Sequence, residues 1–224
     1  MVCFASLFED VLMNFCPLCS SSHISHYFED KHREYLQCSR CHLVFVPPEQ
    51  RLDAKVEKAH YDLHNNDPQD MGYRCFLSRV STPLLERLEK PSCGLDFGCG
   101  PGPTLSLMLQ EAGHNMELYD IYYHPETQVL DKVYDFMTAT EVIEHLYEPN
   151  QVWQKWLNLV KPGGWIGLMT KLVIDVDAFA SWHYKNDLTH VVFFSRQTFQ
   201  FLAERDKLEL EFIGNDVILL RKAQ

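Results

Sequence analysis

Apolar and polar positions change period several times along the chain, and each change marks an element. Residues 93–97 read as an apolar strand end that runs into three glycines at alternate positions, Gly98, Gly100 and Gly102. Over 103–112 the apolar residues move to helical spacing, and Gly113 supplies the stop. Strand-like runs return at 116–120, 134–140 and 165–170. Between the last two, Trp153, Trp156, Leu157, Leu159 and Val160 form a helical stripe that closes at the turn Lys161-Pro-Gly-Gly164. Residues 208–213 and 217–220 flank Gly214, Asn215 and Asp216 as a hairpin. Alternation of strand and helix predicts an α/β fold, a Rossmann-like doubly wound sheet, and the hairpin adds an antiparallel last strand. Only residues 121–133 separate the second strand from the next, too few for a crossover helix and a full strand. A shortened third strand is expected there, with 128–130 as a stub.

Residues 13–47 carry a different pattern. Short strand-like pieces at 26–28, 34–37 and 43–46 are interrupted by Cys16-Pro-Leu-Cys19 and Cys38-Ser-Arg-Cys41. Two such pairs at this spacing match a small N-terminal zinc ribbon, with Cys16, Cys19, Cys38 and Cys41 as ligands. Each short loop lets two sulfurs reach one ion from one side, and four thiolates leave no open position for chemistry. A piece this small cannot bury enough surface to fold alone, so the metal is its staple. Two disulfides are the other reading, disfavoured in a cytosolic chain. His23 and His42 beside the pairs read as surface or supporting residues.

These boundaries predict a tail (1–12), the ribbon (13–47), a linker and helical cap (48–90) and a main domain (91–224). The start is either Met1 or Met13. In the linker, 55–62 and 72–89 have helical character, the second broken by Pro83. Tyr61, His64 and Tyr73 either lie over the glycine turn or anchor a solvated connection.

Composition narrows the partners. The chain has 224 residues, 46% hydrophobic and 23% charged, with a formal net charge of −11. An acidic surface disfavours nucleic acid and anionic membrane, both of which need basic patches. The cluster Lys31, His32, Arg33 and Arg40 keeps nucleic acid open as the alternative. No run is long and apolar enough to span a bilayer, and the first twelve residues carry Glu9 and Asp10 without a basic start. A cytoplasmic location and no membrane partner are expected. The sequence carries no reading of oligomeric state.

The glycine turn carries the chemistry. A dinucleotide fingerprint places its third glycine where this chain has Pro103, and Asp96 would repel a pyrophosphate. An acid there suits a ligand with a cationic end. This stretch resembles motif I of the class I S-adenosylmethionine-dependent methyltransferases. The turn at 161–164 and the closing hairpin extend the resemblance over roughly 92–224. It implies that Gly98, Gly100 and Gly102 admit the methionine end of S-adenosylmethionine and that Asp96 holds its amino group, directly or through water. Asp120, closing the second strand, takes the ribose, and Thr140 or Glu141 flanks the sulfonium.

Glu141, Glu144 and His145 stand at i, i+3 and i+4, a spacing that puts them on one helix face. Two carboxylates and an imidazole suit Mg²⁺ or Mn²⁺. The run resembles the metal-binding motif of small-RNA 2′-O-methyltransferases and ubiquinone-pathway O-methyltransferases, which implies His190 as the further ligand. Two other readings stay open: His145 or His190 as a metal-free general base, and Glu141 as the capping partner of Thr138. Trp182, His183 and Tyr184, with His190, follow the fifth strand and are expected either to line the acceptor pocket or to pack as a lid. The resemblance implies methyl transfer to an O or N atom of a small-molecule acceptor. The alternatives are an rRNA or tRNA methyltransferase that binds RNA through its ribbon, and a non-catalytic zinc adaptor.

Overall fold

A computed structural model describes residues 15–63, 67–89 and 91–224. The expected tail, Met13 and His64 lie outside them. Two strands, β1 (Ile24–Glu29) and β2 (Glu34–Cys38), open the chain, followed by β3 (Val44–Phe45). Two helices then lead to the main domain: α1 (Ala54–Tyr61), capped by Asp53, and α2 (Met71–Leu85), capped by Asp70. Pro83 sits in the last turn of α2, which runs on to Leu85.

The main domain runs β4 (Cys93–Phe97), α3 (Thr104–Glu111), β5 (Asn115–Tyr119), β6 (Tyr134–Thr140), α4 (Pro149–Leu159), β7 (Val160–Met169), α5 (Val176–Ala180), β8 (Val192–Phe193), α6 (Arg196–Asp206), β9 (Leu208–Ile213) and β10 (Val217–Lys222). Six of these strands form one sheet in the order β5-β4-β6-β7-β10-β9. The first four are parallel, and β10 pairs antiparallel with both β7 and β9. Side chains alternate across this sheet. Met137, Ala139, Ile166 and Leu168 face Trp153 and Trp156 of α4 and Phe199 of α6. Phe136 and Met169 face Leu77, Val80 and Leu84 of α2 and Leu105 and Leu109 of α3. That is the two-sided burial a doubly wound sheet requires.

The shortening of the third strand goes to its limit. Residues Thr127–Asp131 form a single 3-10 turn, and β5 is left as the sheet edge. Glu117 on that edge accepts from Lys132 Nζ at 2.6 Å and from Tyr134 Oη at 2.8 Å, which places paired charge where another strand would dock.

The segment after β6 departs from the expected helix. Glu141 has φ +52°, and Ile143–His145 is one 3-10 turn; the α-helix begins only at Pro149. Glu141, Glu144 and His145 therefore do not share a helix face. Nor does Glu141 cap Thr138, whose hydroxyl bonds to Asp96.

The ribbon is built into the larger domain. Its sheet has the order β1-β2-β3-β8, so its fourth strand comes from residues 192–193. Val46 N–H extends the join by donating to Val191 O at 2.9 Å. Cys16, Cys38, Cys41 and Leu43 share one buried cluster with Ile143, Trp153 and Phe199.

Candidate active site

Three parallel strands end at a cavity of about 810 Å³, on the side where ligands enter doubly wound sheets. The turn after β4 supplies its floor. Gly98 (φ +73°) and Gly100 (φ +65°) adopt left-handed backbone, and a Cβ on Gly98 would stand 2.5 Å from Val142 Cγ2. Only glycine meets both conditions there.

Asp120 braces this turn. Its Oδ2 accepts from Gly100 N–H at 3.0 Å, and its Oδ1 accepts from Tyr122 N–H at 2.8 Å and Tyr123 N–H at 3.1 Å. One carboxylate thus ties the glycine turn to the loop after β5. The strand-end position of Asp120 is legible in the sequence; this bracing is not.

Asp96 is buried beside the turn. It accepts from Ser106 Oγ at 2.9 Å and Thr138 Oγ1 at 2.7 Å, and no cation among the described residues pairs with it. Burial pushes its pKa up to about 6, with the nearby Asp120 charge acting the same way against the two hydroxyls. Thr140, Glu141 and Gly102 also line the cavity, as do Tyr61 and Tyr73. The Tyr73 and Phe76 rings stack at 6.2 Å on the wall, and Tyr61 meets His145 edge-on at 5.3 Å. Glu57 of α1 is a residue that no motif singled out. It accepts from Tyr61 Oη and Tyr122 Oη, both at 3.1 Å, and so pins α1 over the cleft.

One wall of the cleft is an acid–histidine cluster, in which Glu141, His145 and His190 line the cavity and Glu144 lies beneath them. Glu144 is fully buried; its Oε1 accepts from Tyr184 Oη, while Oε2 has no hydrogen-bond partner among the described residues. Tyr184 Oη also lies 3.2 Å from Glu141 Oε2 and 3.2 Å from Thr170 Oγ1. Burial raises the pKa of both carboxyls, and the charge of Glu141 adds to the rise at Glu144. His145 Nδ1 lies 3.1 Å from Thr189 O, and His190 Nδ1 lies 2.7 Å from Tyr184 O. A carbonyl oxygen only accepts, so both rings carry a proton on Nδ1. The two rings are 4.7 Å apart. Burial lowers the pKa of His190.

Glu144, His145 and His190 each offer a ligand atom within 4.8 Å of the others, and Glu141 is not in that set. The four residues that the sequence groups thus divide into a trio and one acid turned toward Tyr184. The three residues expected at the acceptor pocket do not line the cavity. Trp182 packs against Phe179, Tyr184 and Phe193; His183 is exposed beside Lys171 Nζ at 2.8 Å; Tyr184 lies under the acids.

At the ribbon, Cys16 Sγ and Cys41 Sγ are 3.4 Å apart, Cys19 Sγ and Cys38 Sγ are 3.5 Å apart, and all four sulfurs lie within 4.8 Å of one another. Bonds of about 2.3 Å to a tetrahedral zinc would set sulfurs about 3.8 Å apart, so the donor set fits that ion. Each knuckle closes with a backbone bond, Ser20 N–H to Cys16 O and His42 N–H to Cys38 O, both 2.9 Å, with Ser20 and His42 at positive φ. Neither His23 nor His42 joins the cluster. No helix among the described residues is long and apolar enough to cross a membrane.

A family model described as a methyltransferase domain matches residues 70–211. Among curated relatives, a ubiquinone biosynthesis O-methyltransferase of Pseudomonas fluorescens (strain Pf0-1) is 30% identical over 77 residues, covering 34% of this chain and 33% of that protein. One from Serratia proteamaculans (strain 568) is 32% identical over 77 residues, covering 34% and 32%. The chain thus spans about a third of the length of the curated relatives it matches. Among solved structures, an O-methyltransferase family protein from Burkholderia thailandensis has a TM-score of 0.54 at 12% identity, covering 77% of this chain and 60% of that one. A Pyrococcus horikoshii OT3 protein has a TM-score of 0.50 at 17% identity, covering 74% and 99%. At these identities the likeness is one of fold.

Proposed function

This chain belongs to the methyltransferase domain family, and from that premise we propose that it transfers a methyl group from S-adenosylmethionine to an oxygen or nitrogen of a small acceptor. The observation that carries the reading is Asp96, a buried acid with no counter-cation among the described residues, beside a glycine turn that Asp120 braces. Bound there, S-adenosylmethionine supplies a methyl group on a cationic sulfur, already activated for displacement. Asp96 would hold its amino group and Asp120 its ribose hydroxyls, with Gly98, Gly100 and Gly102 giving the backbone room. Thr140 or Glu141 would flank the sulfur. Oriented groups and a water-poor cleft are what the protein adds.

His145 or His190 would take the acceptor proton. Glu144, His145 and His190 would hold Mg²⁺ or Mn²⁺ if a divalent ion assists, and the orphaned Glu144 Oε2 supports that arrangement. The printed names of the curated relatives favour oxygen as the acceptor atom. The four cysteines would hold structural zinc. The family match starts at residue 70, just ahead of α2.

Calorimetric titration with S-adenosylmethionine tests the reading; no binding at millimolar ligand would overturn it. Asp96 gives a second, independent check. Its folded pKa of about 6 lies above its ordinary value of 3.8, so the folded state holds the proton longer than the unfolded one. In the ligand-free protein Asp96 therefore contributes a loss of about 3 kcal/mol of stability as pH rises from about 4 to 6. Asp96→Asn should flatten this slope and raise the melting temperature at pH 7.5, while weakening S-adenosylmethionine binding at least tenfold. Melts at pH 4.5 and 7.5 with and without ligand read both effects. A variant with the wild-type slope and affinity would remove Asp96 from the site.

A further inference from the structure

The groups that orient the two histidines of the cleft come from the other end of the chain. Arg33, in the turn between β1 and β2, is only 4% exposed. Its Nη2 donates to Lys185 O at 2.8 Å and Asp187 O at 3.0 Å, its Nη1 to Leu188 O at 3.1 Å, and its Nε to Tyr35 Oη at 3.0 Å. Asp30 in the same turn pairs with Lys185 Nζ at 3.0 Å, with both side chains largely withdrawn from water. Tyr35 Oη donates to Asp30 Oδ2 at 3.1 Å and packs under the guanidinium. A short turn of the ribbon thus grips residues 185–188.

The gripped segment continues into the atoms that set the histidines. Thr189 O receives the His145 Nδ1 proton, and Tyr184 O receives that of His190. Residues 183–190 hold only a four-residue 3-10 turn, so little of their carbonyl geometry is fixed by regular structure. The Arg33 guanidinium supplies what is missing, since its donors diverge in one plane toward three carbonyls. Burying a cation is costly unless its donors are met, and an apolar residue here would leave the carbonyls of Lys185, Asp187 and Leu188 without these donors.

We propose that Arg33 is a positioning residue: through the carbonyls of 185–188 it sets the ring orientation of His145 and His190. This rests on reading the two histidines as acceptor-side groups of a methyltransferase. The ribbon is then part of the active site's framework, and its sheet join at β8 holds the same loop from the far side.

The test uses the zinc-loaded full chain with ¹⁵N-labelled histidine, its signals assigned from His145→Gln and His190→Gln. Wild type should show both Nδ1–H groups as slowly exchanging signals. Arg33→Lys keeps the charge and loses the planar spread of donors. It should bind S-adenosylmethionine within twofold of wild type and yet lose or shift both signals; Arg33→Gln gives the same readout should the lysine variant not fold. With an acceptor in hand, kcat should fall at least tenfold with KM for S-adenosylmethionine unchanged. Lys185→Met severs the Asp30 pair and spares the guanidinium bonds, so both signals should persist. A folded Arg33 variant with intact Nδ1–H signals overturns the proposal, as does loss of both signals in Lys185→Met, which would point to general loosening. Failure of wild type to bind S-adenosylmethionine would sink the methyltransferase reading but leave the histidine readout standing.

Discussion

Cys38→Ser is expected to lower the melting temperature of the whole protein, not of the ribbon alone. Cys38 is fully buried, its sulfur 3.5 Å from that of Cys19, and its own strand pairs through β3 with β8 of the main domain. Structural zinc in small ribbons is worth about 10 kcal/mol or more in apparent folding free energy, and loss of one of four thiolates forfeits a large part of it. A separate ribbon would absorb that loss. Here the same cluster of side chains includes Trp153 and Phe199, so the cost propagates into the sheet. The expected result is one cooperative transition, lowered by several kcal/mol, with about one zinc fewer per chain by elemental analysis. Two transitions, the upper one at the wild-type temperature, would show that the ribbon unfolds by itself. A chelator strong enough to strip thiolate-bound zinc should reproduce the variant.

The second large effect is at Asp120. Its carboxylate satisfies three backbone N–H groups on two loops. Hydrogen bonds to a charged acceptor contribute about 1.5 kcal/mol or more each, and donors left buried without a partner add their desolvation cost. Asp120→Ala should therefore cost about 3 kcal/mol of stability by denaturant unfolding. S-adenosylmethionine affinity should fall at least 100-fold, because the variant would lose the proposed ribose contact along with the bracing of Gly100. Asp120→Asn keeps one acceptor oxygen and should fall between the two. Unchanged affinity in a folded Asp120→Ala protein would show that the ribose does not sit there.

The two predictions differ in where their information lies. Asp120 and the four cysteines stand out from spacing alone, because the pattern that marks each lies within a few residues. Two-residue gaps bring sulfurs to one side of an ion, and an acid at a strand end meets the turn of the neighbouring strand. The alternation of strand and helix, the closing hairpin and the lack of room for a third strand follow from the same kind of local count. What lay beyond such counting depends on how the elements meet. The spacing of Glu141, Glu144 and His145 implies a helix face only if the backbone is helical, and Glu141 at φ +52° is not. Trp182 and Tyr184 are aromatic enough for a pocket, but the ribbon's sheet lies against their loop and draws Trp182 against Phe193 and Tyr184 under Glu144. Arg33 has no motif, since its partners are the backbone carbonyls of Lys185, Asp187 and Leu188, which look alike in any sequence. The sequence by itself determined the sheet, the glycine turn and the paired-cysteine loops, all products of short-range geometry. The tertiary structure alone decided how the acid–histidine cluster is shared out and which distant residue holds it, because those contacts exist only once both ends of the chain have packed together.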